Sequence, residues 1–301
     1  MLIHDCKQCL KPHFVKQKIS ILCPTRERPL NVIKLVSTAI TTASTSENLE
    51  FLFYVDNDDD SFPRRELNEM KINYKVINGH RQWISNCHNV LYTFATGEIL
   101  MTAGDDMVFL TNNWDEIVRS KFDQIPDKIA LVFGNDNASH AGKIAVHGFF
   151  HQHWVHTLGT WVQPGRGSEW DLWATENARM LDRLIYIEEL LIEHVHYRQG
   201  SGKAKFDSTY QAIYRNNSSF RPNLTYKLIK RERRIDRILL AEAMIVKPRG
   251  ERNYVISETL KRLPIKIADN RRLLSLSNFE ILNQLVSKFR HIPKQIIYRK
   301  K

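Results

Sequence analysis

The sequence predicts an α/β fold: a mostly parallel sheet flanked by helices, followed by a basic, mainly helical C-terminal region. Short apolar runs alternate with longer runs of helical spacing over residues 18–220. The short runs are apolar almost throughout, as strands covered on both faces must be. Charge then divides the chain: residues 1–220 hold 23 Lys+Arg against 26 Asp+Glu, and residues 221–301 hold 21 against 7. The whole net charge of +11 therefore resides in the last quarter.

The elements follow in order. "KISILCP" (18–24) is a strand, and "RPLNVIKLVSTAITTAS" (28–44) is a helix with Pro29 near its start. "LEFLFYVD" (49–56) and "INYKVIN" (72–78) are the second and third strands. "RQWISNCHNVLYTFATG" (81–97) reads as a helix closed by Gly97, before the strand "EILMTAG" (98–104). The polar stretch "RNNSSFRPN" (215–223) reads as a linker. The expected organisation is an N-terminal extension (1–17), a catalytic domain (18–220) and a basic helical region (221–301).

With 301 residues, 43% of them hydrophobic, the chain can bury one large core, or one core and an appendage. No run of about eighteen apolar residues predicts a membrane span, and "MLIHDCKQCLKPH" lacks the features of a signal peptide. Four cysteines do not make a disulfide scaffold, which fits a cytoplasmic protein, in the host cytoplasm if viral.

In a parallel sheet, ligands bind beyond the carboxyl ends of the strands. Here those ends read "CPTRERP", "VDNDDD" and "GDDM", so polar and acidic residues converge on one edge. Each cluster alone also suits a turn or a helix cap. Three nucleotide or metal motifs fail. No G-x-G-x-x-G follows the first strand. "QGSGKA" lacks the leading glycine of a P-loop and has Ala204 where Ser/Thr would hold magnesium. "DNDDDS" starts like an EF-hand, but Ser61 and Leu67 occupy its Gly and Glu positions. What remains is a hard divalent cation, Mn²⁺ or Mg²⁺, bridging carboxylates to a diphosphate. Such an ion would neutralise the adjacent Asp105 and Asp106.

On these residues the chain resembles the GT-A glycosyltransferases, in particular the family-2-like group. Pro24-Thr25-Arg26 matches the turn after the first strand, Asp56 and Asp58 match the nucleoside-contacting acids, and Asn86 or Asn89 matches the helix asparagine. "GDDM" stands at the metal motif, with Gly104 where Asp is common, so the two acids are adjacent. Downstream, Asp171 at a helix start, Glu193-His194-Val195-His196, and Gly202-Lys203-Ala204 with Asp207 resemble a phage and environmental branch. The resemblance spans about residues 18–215.

It implies a nucleotide-sugar-dependent hexosyltransferase, with UDP-sugars favoured. Asp106 is the preferred metal ligand, with Asp105 on the ribose or behind the ion. One histidine of "EHVH", His194 or His196, completes the site, and His196 is preferred. Inversion requires a base on the acceptor hydroxyl, for which Asp171 comes first and Glu169 second; Asp171 also suits a helix cap. Arg26, Arg81 and Lys203 are candidate phosphate contacts. Trp154, Trp161, Trp170 and Trp173 divide between acceptor stacking and core packing.

The remaining signals are slight. Cys6-x-x-Cys9, with His4 and His13, is half of a zinc site. His151, His153 and His156, close after His147, read as packing or acceptor contacts, and Cys23 and Cys87 as small buried residues. The cationic segment 227–247 and the cationic end of 273–301 suit a polyanion or an anionic bilayer, or form a helical cap on the catalytic domain. The branch resemblance points to DNA carrying 5-hydroxymethylpyrimidine. The alternatives are a peripheral membrane glycosyltransferase of surface polysaccharide or glycolipid synthesis, and a non-enzymatic basic nucleic-acid-binding protein.

Overall fold

The computed structural model describes residues 16–138, 141–161, 170–196, 206–208, 210–211 and 230–245. The strands are β1 (Ile19–Thr25), β2 (Leu49–Asp56), β3 (Tyr74–Gly79), β4 (Ile99–Thr102), β5 (Met107–Phe109), β6 (Leu131–Asn135), β7 (Gly148–His151) and β8 (Leu184–His194). The helices are α1 (Pro29–Thr42), α2 (Arg64–Glu69), α3 (Ile84–Tyr92), α4 (Trp114–Asp123), α5 (Gln152–Leu158), α6 (Trp170–Met180) and α7 (Lys230–Ala243).

The strands form one sheet in the order β3-β2-β1-β4-β7-β6-β8-β5. The β3-β2-β1-β4 half is parallel; β7 then enters antiparallel between β4 and β6, and β5 pairs antiparallel with β8. The expected α/β fold is therefore present.

Strand alternation explains the unbroken apolar runs. Ile19, Ile21 and Cys23, with Phe51, Phe53 and Val55, meet Val32, Leu35 and Val36 of α1 and Trp114, Val118 and Phe122 of α4. The intervening Leu22, Leu52 and Tyr54 point the other way, onto Cys87 and Leu91 of α3. On that same side, Leu100, Leu131 and Phe150 pack with Trp154, Trp161 and Trp173. Those three tryptophans belong to the core, and Cys23 and Cys87 are buried with it.

Two expectations need correction. The helix of segment 81–97 spans only Ile84–Tyr92, and Gly97 does not close it. A Cβ on Gly97 would stand 2.7 Å from the Lys18 carbonyl and from Ser20 Oγ, so the glycine serves close approach to β1. The fourth strand ends at Thr102, leaving Ala103 and Gly104 to turn into the site.

The C-terminal helix α7 packs on α5 and α6, and its Leu240 and Ala241, with Met244 just past its end, join the tryptophan-rich core. Arg233 pairs with Glu176 of α6 at 3.3 Å. Among the described residues, no helix is long and apolar enough to cross a membrane. The linker at 215–223, the segment 273–301 and the Cys6/Cys9/His4/His13 group lie outside the described residues.

Candidate active site

Register brings the strand ends together. Extending the Leu22–Thr102 pairing of β1 and β4 by three residues sets Thr25 opposite Asp105, and Thr25 Oγ1 donates to Asp105 Oδ2 at 2.7 Å. Extending the β1–β2 pairing past Thr25–Val55 sets Arg26 opposite Asp56. Arg26 donates to Asp56 Oδ2 and Asp58 Oδ2, each at 3.0 Å. Glu27 then takes a left-handed conformation (φ 54°) and donates its backbone N–H to Asp59 at 2.8 Å. This turn, uncommon for a residue with a Cβ, sends Arg28 the other way. There it donates to Asp105 Oδ1 at 3.1 Å and, through two nitrogens, to both oxygens of Asp207 at 2.7 and 2.9 Å.

The two adjacent acids are thus compensated by different groups. Asp105 has Thr25 and Arg28. Asp106 Oδ2 accepts the Tyr210 hydroxyl at 2.9 Å and faces His194 Nε2 at 3.3 Å. Their protonation diverges accordingly. Burial pushes Asp105 up to about 6, and the Asp106 charge adds to the rise, against the pull of Arg28. Burial also opposes ionisation of Asp106, but the hydrogen bond and charge of His194 outweigh it and hold the group below the usual carboxylate range. His194 is raised in turn: burial alone would lower it, and the bond to Asp106 overcomes that.

A third side chain joins this pair. The β4–β7 pairing Met101–Phe149, continued by two residues, sets His147 opposite Ala103. The β5–β8 pairing Met107–His194 delivers His194 from the other side, fixed by the Val195 N–H to the Asp106 carbonyl at 2.8 Å. One donor atom from each of Asp106, His147 and His194 lies within 4.8 Å of the others, a group able to hold a metal ion. Both ring nitrogens of His147, and Nδ1 of His194, are buried without a hydrogen-bond partner. Buried imidazole nitrogens left unpaired are costly, and ligation would satisfy one on His147. Gly104 makes room for this arrangement. A Cβ there would stand 2.6 Å from Asp106 Oδ1 and 3.6 Å from His147 Cε1, which accounts for glycine at a position where Asp is common.

Of the two histidines it is His194, not the preferred His196, that meets Asp106. The His196 ring turns to Tyr210, with centroids 5.0 Å apart. Beneath Tyr210, between the start of α1 and the Asp105–Asp106 turn, opens a cleft of about 350 Å³ lined also by Asn31, Lys34 and Val195.

No family model matches the chain, and no curated protein is similar to it. Among solved structures, residues 1–349 of S. aureus TarS in complex with UDP superpose with a TM-score of 0.50 at 12% identity, over 93% of this chain and 82% of that one. The fold is of the GT-A type. The mannosyltransferase PcManGT from Pyrobaculum calidifontis, in complex with GDP-Man and Mn²⁺, gives 0.49 at 11% identity, over 94% of this chain and 83% of its own. In a longer S. aureus TarS structure the match has a TM-score of 0.46 at 12% identity, with 75% of this chain spanning 48% of that one.

Within this GT-A frame the other predicted residues fall as follows. Pro24 and Thr25 end β1 beside the acids. Burial raises Asp56 against the pull of Arg26, whereas exposed Asp58 is lowered by its hydrogen bond from Arg26. Arg81 lies 4.0 Å from Asp56. Asn86 is half-buried on α3. Asn89 is structural, accepting from Thr160 Oγ1 and the Trp161 N–H at 3.0 Å each. Asp171 opens α6, accepts the Leu172 N–H at 2.7 Å, and is near enough for its charge to raise His194. His151 ends β7, with His153 and His156 on α5, all apart from the metal-capable group. Glu169 and Lys203 lie outside the described residues.

Sequence reasoning missed three contributors. Arg28 was eclipsed by Arg26 of the "P-T-R" turn, though both stand in "CPTRERP". His147 was grouped with the histidines after it, because only the antiparallel entry of β7 reveals its partner. Tyr210 carries no motif of its own.

Proposed function

We propose that the chain is an inverting glycosyltransferase that moves a sugar from a nucleotide-sugar donor to an acceptor hydroxyl. The observation that carries this reading is the convergence of Asp105, Asp106, His147 and His194 at the carboxyl edge of a GT-A sheet. The residues fit a divalent cation by the chemistry of their donor set and the unpaired nitrogens of His147. A cation held by Asp106 and its neighbours would supply Lewis-acid stabilisation of the departing diphosphate.

We assign the chain's own groups the following roles. Asp56 and Asp58, at and just past the end of β2, take the nucleoside. Asp105, steadied by Thr25 and Arg28, faces the ribose. Arg26, Arg81 and Lys203 serve the phosphates, where planar or compact cationic donors suit anionic oxygens. Asp171, with Glu169 second, takes the proton of the acceptor hydroxyl as its oxygen bonds to the anomeric carbon. The bond from that carbon to the diphosphate breaks on the opposite face. UDP-sugars are the first donors to test, since the TarS structure holds UDP.

The acceptor we favour is polyanionic: a 5-hydroxymethylpyrimidine in DNA, extruded or single-stranded so that its hydroxyl reaches Asp171. The charge of residues 221–301 supports a polyanion. The bilayer alternative is weakened for α7, whose apolar side is spent on α5 and α6.

The experiment is a donor-hydrolysis screen with UDP- and GDP-sugars, with and without hydroxymethylated DNA, read by mass spectrometry of the digested nucleosides. Sugar on the nucleoside, absent with Asp106→Ala, supports the proposal. Retention on anionic liposomes without DNA binding would favour a glycolipid or polysaccharide acceptor. DNA binding with no nucleotide uptake would leave a nucleic-acid-binding protein.

A further inference from the structure

We propose that Asp106, His147 and His194 form a one-carboxylate, two-imidazole site that selects Mn²⁺ or Co²⁺ over Mg²⁺. This deepens the transferase reading and rests on it only for what the ion would serve.

The ligand set is fixed by the fold rather than by the short acidic motif. Asp105, the other carboxylate of the pair, is engaged elsewhere: one oxygen accepts from Thr25 at 2.7 Å and the other pairs with Arg28 at 3.1 Å. That leaves a single carboxylate, Asp106, with imidazoles arriving from β8 and from the start of β7. The separation of 3.3 Å between Asp106 Oδ2 and His194 Nε2 fits two ligands on one ion, since atoms each about 2.1 Å from a shared centre stand roughly 3 Å apart. The His147 and His194 rings meet edge to face with centroids 4.7 Å apart, so they approach from different directions. Both His147 nitrogens are buried with no well-formed hydrogen bond, the Thr102 carbonyl exerting only a weak pull on the ring.

Ion preference follows from donor type. Mg²⁺ demands a near-ideal octahedron of oxygens and surrenders its waters reluctantly, so two buried imidazoles suit it poorly. Affinity for nitrogen donors rises along the first transition row, from Mn²⁺ to Co²⁺. A site built from two carboxylates would suit Mg²⁺ better; this one offers half that oxygen charge. His196, close in sequence, sits against Tyr210 and lies outside the group.

The test uses the full chain with MnCl₂, CoCl₂ and MgCl₂ by calorimetry, and pulsed electron paramagnetic resonance of bound Mn²⁺. One Mn²⁺ should bind at least tenfold more tightly than Mg²⁺, with two imidazole ¹⁴N couplings. His147→Ala and His194→Ala should each remove one coupling and weaken Mn²⁺ at least tenfold, whereas His196→Ala should keep both couplings. Equal binding of Mg²⁺, or Mn²⁺ without ¹⁴N coupling in the unmodified protein, overturns the proposal, and neither outcome depends on how a variant folds. The two readings fail separately. Mn²⁺ on the histidine pair with no nucleotide uptake would defeat the transferase reading alone. Nucleotide uptake supported by Mg²⁺ and indifferent to His147 would defeat this one alone.

Discussion

The guanidinium of Arg28 binds the Asp105 carboxylate at 3.1 Å, and the same side chain grips Asp207, a residue more than one hundred positions further along the chain. Tyr210 lies against the guanidinium at 4.3 Å and donates to Asp106. A single arginine thus joins the turn after β1, the acidic pair and the short 206–211 segment.

Arg28→Ala should therefore be costly. It would leave a buried carboxylate without its cation, a loss of about 3 kcal/mol or more, together with the stacked contact to Tyr210. Urea unfolding should show a lower midpoint with an unchanged slope. Arg28→Lys should recover only part of the loss, because an ammonium cannot span both Asp207 oxygens.

Gly104→Ala should spare the fold and injure the site. The added Cβ would meet the far end of the Asp106 side chain at 2.6 Å, so the carboxylate must swing away from His194. Thermal melting should change little, while Mn²⁺ affinity measured by calorimetry should fall at least tenfold.

Asp171→Asn should abolish turnover and leave nucleotide-sugar affinity nearly unchanged, because the amide keeps the size and the capping oxygen but cannot take a proton. A large loss of affinity would instead assign Asp171 to donor binding.

Acid should weaken the fold through His151. Burial, with the charges of His153 and Lys128, lowers this group to about 4 from an ordinary 6.5. Above pH 6.5 the imidazole is neutral whether folded or not and contributes no pH dependence. As pH falls from 6.5 toward 4, the unfolded chain takes the proton first, so stability declines. The expected loss is about 2 kcal/mol between pH 7 and 5. Its Nδ1 caps α5 by accepting the His153 N–H at 3.2 Å, a role asparagine can also fill. His151→Asn should remove that share of the pH dependence in urea titrations at the two pH values.

How much of this was legible depended on the direction of the strands. The parallel half declared itself through apolar runs and polar ends, and Thr25, Arg26, Asp56 and Asp105 follow from it. The other half, where β7 and β5 run antiparallel to their neighbours, did not. Nothing local in "AVHGFFHQH" says that Gly148–His151 slips between β4 and β6, and without that pairing His147 has no visible partner. The same blindness favours His196 over His194, since residues two apart on a strand share a face and their spacing cannot choose between them. The register of β8 on β5 decides it. Arg28 depended on a left-handed turn at Glu27, which no propensity predicts for a residue with a side chain.

The seat of α7 has a practical consequence. Leu240, Ala241 and Met244 share a buried core with Trp154 of α5 and Trp173 of α6. A shorter protein ended after residue 220 would bare that oily floor to water and invite clumping. Anyone trimming the cationic tail to simplify expression should therefore keep the chain through at least Ile245, whose backbone N–H donates to Asp127 at 3.0 Å.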